Sequence, residues 1–399
     1  MKKLVQLSTS HNRGAIGKII EQIGVKAKDD LGFESWVIYG RYNCTSELKC
    51  IKMGNMLEVI EHYVENRLFD NEGLASRCMT KKIVAKLEEI QPDIVHLHNI
   101  HDHWLNYEIL FRYLKETDIK VIWTFHDCWA YTGHCFHFVT VNCDKWKIEC
   151  SNCVQGNRFW DRSKRNFNLK KKTFLSCKNL YITTVSQWLK NVTEESFFKG
   201  CDIRAIPNGL DINVFRPLAN PKNIWNLPTN KKIVMGVATS WYEDKGLSDY
   251  YQLAKKLGDD YQIVLVGMTK KQIVALPQDI IGLPKTASQE ELAWLYNLAD
   301  VIVSMSKAET FGLTIAEGMA CGTPGVVYDN TAHPELISCD TGMIVESNNL
   351  SAFKDAIEKI CHQSKAFYNK KCRKRAEEKF DKNICFDQYL KLYEQVVAK

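Results

Sequence analysis

Two glutamates stand eight residues apart in the stretch SKAETFGLTIAEGMACGTPG, Ser306 to Gly325. Glycine costs a helix interior roughly 1 kcal/mol relative to alanine. Gly312 therefore marks a turn, and a helix is expected to start near Leu313. Glu309 then lies in the loop and Glu317 in the first turns of the helix. A helix N-terminus carries free N–H groups and a partial positive charge, which suits a phosphate. Gly312 would let an oxyanion approach the backbone. Carboxylates repel phosphates, so the glutamates should face neutral hydroxyls, and one ionised carboxylate can accept from two vicinal OH groups. A ribose diol and a hexose diol flanking a diphosphate would satisfy both, which describes a nucleotide-diphosphate sugar. The same residues admit a plainer reading. A glutamate near a helix start is also a dipole partner, and Ala-Cys-Gly-Thr-Pro is a helix stop.

The elements that must position these residues alternate strand and helix. Lys3–Leu7 reads as a strand running into a loop, Ser8–Gly17, that holds Gly14 and Gly17, with a helix from about Lys18. Ser35–Tyr39, Asp93–His98, Lys120–Phe125 and Tyr181–Val185 are further short apolar runs, as expected of parallel strands buried on both faces. Pro207-Asn208-Gly209 punctuates the chain, and the pattern restarts with Lys232–Val237, Gln262–Gly267, Val301–Ser304 and Gly325–Tyr328. This predicts an α/β chain of two Rossmann-like doubly wound domains facing a cleft. The domains are expected at 1–206 and 207–375, with 376–399 a closing helix packing toward the first domain. In such sheets ligands bind outside the carboxyl ends of the strands, where Ser8–Gly17 and Val237–Gly246 would lie.

The 399 residues suit two domains, and 45% hydrophobic with 25% charged residues can fill both cores. A net charge of +6 is mild and diffuse, which suits anionic small molecules or an anionic membrane surface and disfavours nucleic acid. The opening MKKLVQLSTSHNRG lacks the apolar core of an export signal, and no run reaches the roughly 18 apolar residues of a spanning helix. A cytoplasmic protein, or one peripheral at the inner face of the plasma membrane, is expected. Fifteen cysteines in that setting point to reduced thiols or a metal site.

Cys135, Cys143, Cys150 and Cys153 are separated by seven, six and two residues within a Cys-rich insertion at about 128–156. Cys150-Ser151-Asn152-Cys153 has chelating spacing, and four thiolates could complete a tetrahedral structural zinc site; free thiols are the alternative. His96 and His98 alternate on a strand and so could share a face; with His101 and His103 they admit a metal, an acceptor contact or a core role. RFWDRSKRNFNLKKKTF, 158–174, holds seven basic residues, one acid and four aromatics. It could lie on an anionic bilayer with its aromatics at headgroup level, or form a solvated helix covering the first domain.

Glu309 and Glu317 in E-x7-E spacing with Cys-Gly-Thr-Pro, preceded by Leu295–Asp300, resemble the donor-site signature of retaining GT-B glycosyltransferases of family 4, the glycosyl transferases group 1. Pro207–Asp211 and Asp93–Asn99 also match. The resemblance implies that Glu317 holds the ribose hydroxyls and Glu309, with a catalytic share, the transferred sugar. It implies that the backbone of Phe311, Gly312, Leu313 and Thr314 binds the diphosphate and that Lys245 binds phosphate. Family members commonly carry an arginine five residues before that lysine, where this chain has Ser240; Arg13 is a candidate substitute. Gly14 and Gly17 resemble the glycines of the family's first loop, and His126 its active-site histidine, with His98, His101 and Asp127 on the acceptor side. The resemblance implies a retaining transfer of a hexose-type sugar, from a uridine rather than a guanosine carrier, to a glycan acceptor, lipid-linked in surface-polysaccharide synthesis. No cofactor is required by that mechanism: helix dipole, backbone N–H groups and lysine can hold the departing diphosphate without a cation. A sugar-nucleotide epimerase and a degenerate nucleotide-sugar binding protein are the rival readings.

Overall fold

The protein is described by a computed structural model over residues 1–42, 44–156 and 160–398. It divides into two compact units, Met1–Ile206 with Phe386–Lys399, and Pro207–Cys385. The first unit runs β1 (Lys3–Ser10), α1 (Gly14–Leu31), β2 (Glu34–Arg41), β3 (Lys49–Lys52), α2 (Met56–Phe69), α3 (Arg77–Ile90), β4 (Ile94–Leu97), α4 (Tyr107–Lys115), β5 (Lys120–Phe125), α5 (Ser163–Phe174), β6 (Leu180–Thr184), α6 (Gln187–Glu194) and β7 (Ile203–Ala205). The second runs β8 (Lys232–Val237), α7 (Leu247–Lys256), β9 (Tyr261–Val266), α8 (Lys270–Val274), β10 (Ile280–Leu283), α9 (Gln289–Leu298), β11 (Val301–Ser304), α10 (Leu313–Ala320), β12 (Gly325–Tyr328), α11 (His333–Leu336), β13 (Gly342–Val345), α12 (Leu350–Gln363) and α13 (Lys365–Phe380). α14 (Lys382–Val397) closes the chain.

Both sheets are parallel, with order β3-β2-β1-β4-β5-β6-β7 and β10-β9-β8-β11-β12-β13. Each reverses direction of growth beside its first strand, at β1/β4 and at β8/β11. That reversal leaves a crevice at the carboxyl ends of the two strands, because their outgoing loops turn to opposite faces of the sheet. Most strand residues are apolar and fully buried: Leu4, Val5, Leu7, Ile94, Val95, Leu97, Val121 and Ile122 in one sheet, and Val234, Met235, Val264, Leu265, Val301 and Ile302 in the other.

Three expectations need correction. The loop expected at Ser8–Gly17 is much shorter, because β1 continues to Ser10 and α1 begins at Gly14. The Asn12 N–H donates to the Gly17 carbonyl at 3.0 Å, so Gly17 closes the turn from inside the helix. The tail divides at Cys385/Phe386, not before 376. Cys372, Ala376 and Phe380 are buried within the second unit, where the Phe380 ring meets Phe311 at 5.7 Å. Tyr389 and Tyr393 of α14 are buried in the first unit, with the Tyr393 hydroxyl 2.7 Å from His96 Nδ1. Finally, Phe167 and Phe174 of the basic stretch are buried core residues, 1% and 0% exposed, so they cannot lie at a headgroup level. Arg158 and Phe159 fall outside the described residues. Among those described, no helix is long and apolar enough to cross a membrane.

The turn ahead of α7 illustrates how tightly the second crevice is built. Gly246 has φ +74°, and a Cβ there would stand 2.4 Å from the Met305 carbonyl oxygen. Both the left-handed backbone and the contact with a main-chain atom exclude a side chain. Gly246→Ala is expected to cost about 1–3 kcal/mol and to lower the melting temperature by several degrees; a thermal melt of the purified variant checks it.

Candidate functional site

Loops at the carboxyl ends of β8, β11 and β12 are laced together. The Lys307 N–H donates to the Asp244 carbonyl at 2.8 Å, and the Ser306 hydroxyl donates to the same oxygen at 3.2 Å. The Asn330 amide donates to the Ser306 carbonyl at 2.9 Å, the Glu309 N–H to Thr331 Oγ1 at 2.9 Å, and the Ala332 N–H to the Glu309 carbonyl at 3.1 Å. These bonds bring Lys245 and Glu309 together as an ion pair, Nζ to Oε1, with each side chain 23% exposed. Burial would lower the Lys245 pKa, but the Glu309 carboxylate outweighs it and holds the ammonium above its ordinary value.

α10 starts at this point. Gly312 takes φ +95°, and a Cβ there would lie 2.8 Å from Leu336 Cδ1 and 3.3 Å from His333 Cδ2. The helix therefore presents Leu313 and Thr314 as its first residues with bare backbone in front of them. The Phe311 side chain packs into the core, leaving only its backbone to face a ligand. Glu317 is one turn inside, its Oε2 accepting from the buried Tyr296 hydroxyl at 2.9 Å. That bond fixes one carboxylate oxygen and aims the group.

Sequence reasoning missed His333. Its ring is fully buried, Nδ1 lies 3.3 Å from Asn330 Oδ1, and Nε2 is a buried atom with no hydrogen-bond partner. Burial pushes its pKa down to about 4, with Glu309 and Lys245 near enough to bias it in opposite senses. A buried, unsatisfied ring nitrogen beside Gly312 is a polar group in need of a partner. The available clue was positional: His333 follows β12 as Glu309 follows β11.

In the first unit a polar chain runs through the sheet interior. The Gln6 amide donates to the Ile20 carbonyl at 2.9 Å, which leaves Gln6 Oε1 facing His98 Nε2 at 3.2 Å. An amide oxygen only accepts, so His98 donates from Nε2 and accepts at Nδ1. His98 Nδ1 lies 3.2 Å from His126 Nε2. Burial holds His98 well below the ordinary histidine range and His126 down at about 4, so both are neutral. His126 must then carry its proton on Nε2 and a lone pair on Nδ1. His96 sits on the same face, ring centroid 4.1 Å from His98, and is saturated by Tyr393 and Thr124, both at 2.7 Å. It is a core histidine.

His101 differs. Its Nε2 is 2.9 Å from Asp127 Oδ2, and the Trp129 N–H donates to Asp127 Oδ1 at 2.9 Å. Burial alone would lower His101, yet Asp127 raises it to about 10. Burial would likewise raise Asp127, and His101 brings it to about 2. The pair is a buried imidazolium and carboxylate. Arg13 is exposed and stacks its guanidinium 4.1 Å from the Tyr42 ring centroid; Gly14 beside it is exposed as well. Among the described residues, the trios of ligand atoms compact enough for a metal are Asp70–His134–Asp161 and Glu72–His101–Asp102, and neither contains His96 or His98.

The family profile for glycosyl transferases group 1 matches residues 220–379, and that for glycosyltransferase family 4 matches residues 25–214. WcaC of Escherichia coli (strain K12), whose name assigns it to colanic acid biosynthesis as a glycosyl transferase, is 22% identical over 341 residues, 80% of this chain and 81% of its own. The fold is that of a sucrose-phosphate synthase from Thermosynechococcus elongatus, with a TM-score of 0.75 at 18% identity over all of both chains. It is also that of Anabaena Alr3699/HepE, solved with UDP and glucose, with a TM-score of 0.70 at 15% identity over 99% of this chain and 100% of that one. Two profiles meeting near the unit boundary and two Rossmann-like sheets in the same chain agree: this protein belongs to the GT-B glycosyltransferases of family 4, with a group 1 transferase domain in its second half.

Proposed function

We propose that the protein transfers a hexose-type sugar, with retention of configuration, from a uridine diphosphate carrier to a lipid-linked glycan in surface-polysaccharide synthesis. The observation that carries the donor half is the arrangement around α10. Backbone N–H groups at the helix start, a lysine and a neutral buried imidazole surround one position, with carboxylates before and one turn after it. The diphosphate fits the first two groups, and the sugar and ribose hydroxyls fit the imidazole and the carboxylates. With no donor bound, Lys245 and Glu309 neutralise each other. A diphosphate would draw off the lysine and free Glu309 for hydroxyls. His333 Nδ1 donates to Asn330 Oδ1, so the neutral ring carries a lone pair on Nε2, which would accept from a sugar hydroxyl and satisfy that buried nitrogen. The reaction then needs no cation, since helix and lysine supply the positive field. The names of WcaC and of the UDP-bound Anabaena protein support the surface-glycan and uridine assignments.

On the first unit, neutral His126 with its Nδ1 lone pair is suited to an acceptor or sugar hydroxyl, held in place by His98 and the His101–Asp127 pair. Membrane contact is supported by α2. Met56, Leu57, Ile60, Val64 and Leu68 form an exposed apolar stripe at helical spacing. The helix is held from behind by its single buried residue, His62, whose Nδ1 lies 2.8 Å from the Ser76 hydroxyl and whose Nε2 accepts the Gly73 N–H at 3.1 Å. Arg67 on the helix and Arg77 and Arg165 beside it are exposed, Arg77 paired with Glu65 at 3.3 Å and Arg165 donating to Asn71 at 3.0 Å. The stripe is apolar enough to enter a bilayer surface, and the charges flanking it are mixed, Arg67 and Arg77 with Glu61 and Glu65. This replaces the aromatic contacts expected of 158–174.

Four outcomes are expected. Nucleotide release from a panel of UDP-, GDP- and ADP-sugars, with membrane extract as acceptor source, should favour one UDP-sugar. Glu317→Ala should lower kcat/KM about 10–100-fold, the loss of a charge-assisted bond pair worth roughly 1.5–3 kcal/mol. Binding without release from any donor would sink the transferase assignment in favour of the binding-protein rival. The pH profile of kcat/KM should show no histidine inflection near 6.5. Its acid limb should fall near 4, where His126 gains a proton and loses its acceptor lone pair. Cosedimentation with phosphatidylglycerol vesicles should drop about tenfold or more in Leu57→Asp/Ile60→Asp.

A further inference from the structure

We infer that Cys135, Cys143, Cys150 and Cys153 form a zinc site that staples the insertion of the first unit. All four thiols, with His134, line one small cavity floored by Phe138 and Trp146, with about 20 Å³ of free space. That is room for a single water-sized occupant. The segment around it has almost no regular structure, only the single 3₁₀ turns Trp129–Tyr131, Val139–Val141 and Lys145–Lys147. A loop of that kind has little backbone bonding to hold it and gains most from a metal cross-link.

The local geometry is that of a chelating turn. Asn152 has φ +47°, so Cys150-Ser151-Asn152-Cys153 reverses and presents both thiols to the cavity. The Gly133 N–H donates to Cys150 Sγ at 3.3 Å and so orients that sulfur. The Cys153 N–H is fixed by Asp161 Oδ2 at 2.9 Å. His134 is not needed as a ligand. Its Nδ1 is 3.0 Å from Asp70 and its Nε2 3.5 Å from Asp161, while Asp70 and Asp161 also accept backbone N–H groups from Arg162 at 2.8 Å and Ser163 at 2.9 Å. Those contacts tie His134 and the start of α5 together beside the thiols. The buried Lys170 donates to the Trp129 and Thr132 carbonyls at 2.7 and 3.0 Å, which ties α5 to the insertion. Tetrahedral zinc holds its sulfurs about 3.8 Å apart. Among the described residues no three of these sulfurs lie within 4.8 Å of one another, so holding a zinc would require the loop to contract around the cavity.

The staple reaches the candidate site. Phe136, next to Cys135, packs its ring 4.9 Å from His101, and its carbonyl accepts the Cys128 N–H at 2.9 Å. The metal would hold this wall against the His101–Asp127 pair. Zinc content of the full chain, purified without chelator, tests the inference. One zinc per chain is expected in wild type, in His134→Asn and in Cys78→Ser, whose thiol is exposed on α3. Cys150→Ser should lose it at least tenfold. An organomercurial should release the zinc from wild type in step with four thiols, a readout independent of whether the variants fold. Wild type with no zinc after reconstitution and desalting, with freely reacting thiols or with disulfides by intact mass, overturns the inference. So does zinc lost in His134→Asn but kept in Cys150→Ser.

Discussion

The second crevice depends on one ion pair. Lys245 and Glu309 come from loops after β8 and β11, which diverge to opposite faces of the sheet, and each is mostly removed from water. A lone charge so placed would be costly, and the partner removes that cost without producing a large net gain. The pair therefore sets geometry more than stability. It holds two divergent loops at one point, directly before the N-terminus of α10. A ligand that carries both an anion and hydroxyls can exchange with it one partner at a time, so neither charge is left bare.

The first unit solves a different problem with neutral groups. Gln6, His98 and His126 pass a defined sequence of donors and acceptors from the sheet interior to the end of β5. Because the amide end of that chain has no ambiguity, the tautomer of the last histidine is set by a residue two strands away. His101 and Asp127 stand beside it as a full charge pair, so closely spaced histidines hold opposite protonation states by environment alone.

Much of this was legible in the residues. The Lys232–Val237, Val301–Ser304 and Gly325–Tyr328 strands, the α10 start at Leu313 and the break after Ile206 lie where apolar runs, Gly312 and Pro207 place them. The loop at Ser8–Gly17 was drawn too long because β1 runs on through Ser8–Ser10 and α1 takes in Gly14 and Gly17, residues whose own propensities do not mark an element. Phe167 and Phe174 were misjudged because a composition count does not separate the two faces of a helix.

The sequence by itself determined the alternation of strand and helix, the glutamate spacing, and the cysteine grouping, since each is a matter of local period and turn chemistry. Only the tertiary structure decided which partner each charged group meets. Lys245 is paired with a residue 64 positions away, Glu317 is aimed by Tyr296, and His333 is left with a buried nitrogen beside Gly312. Those outcomes depend on which strands lie side by side and how much water remains, and neither is encoded in any short stretch of the chain.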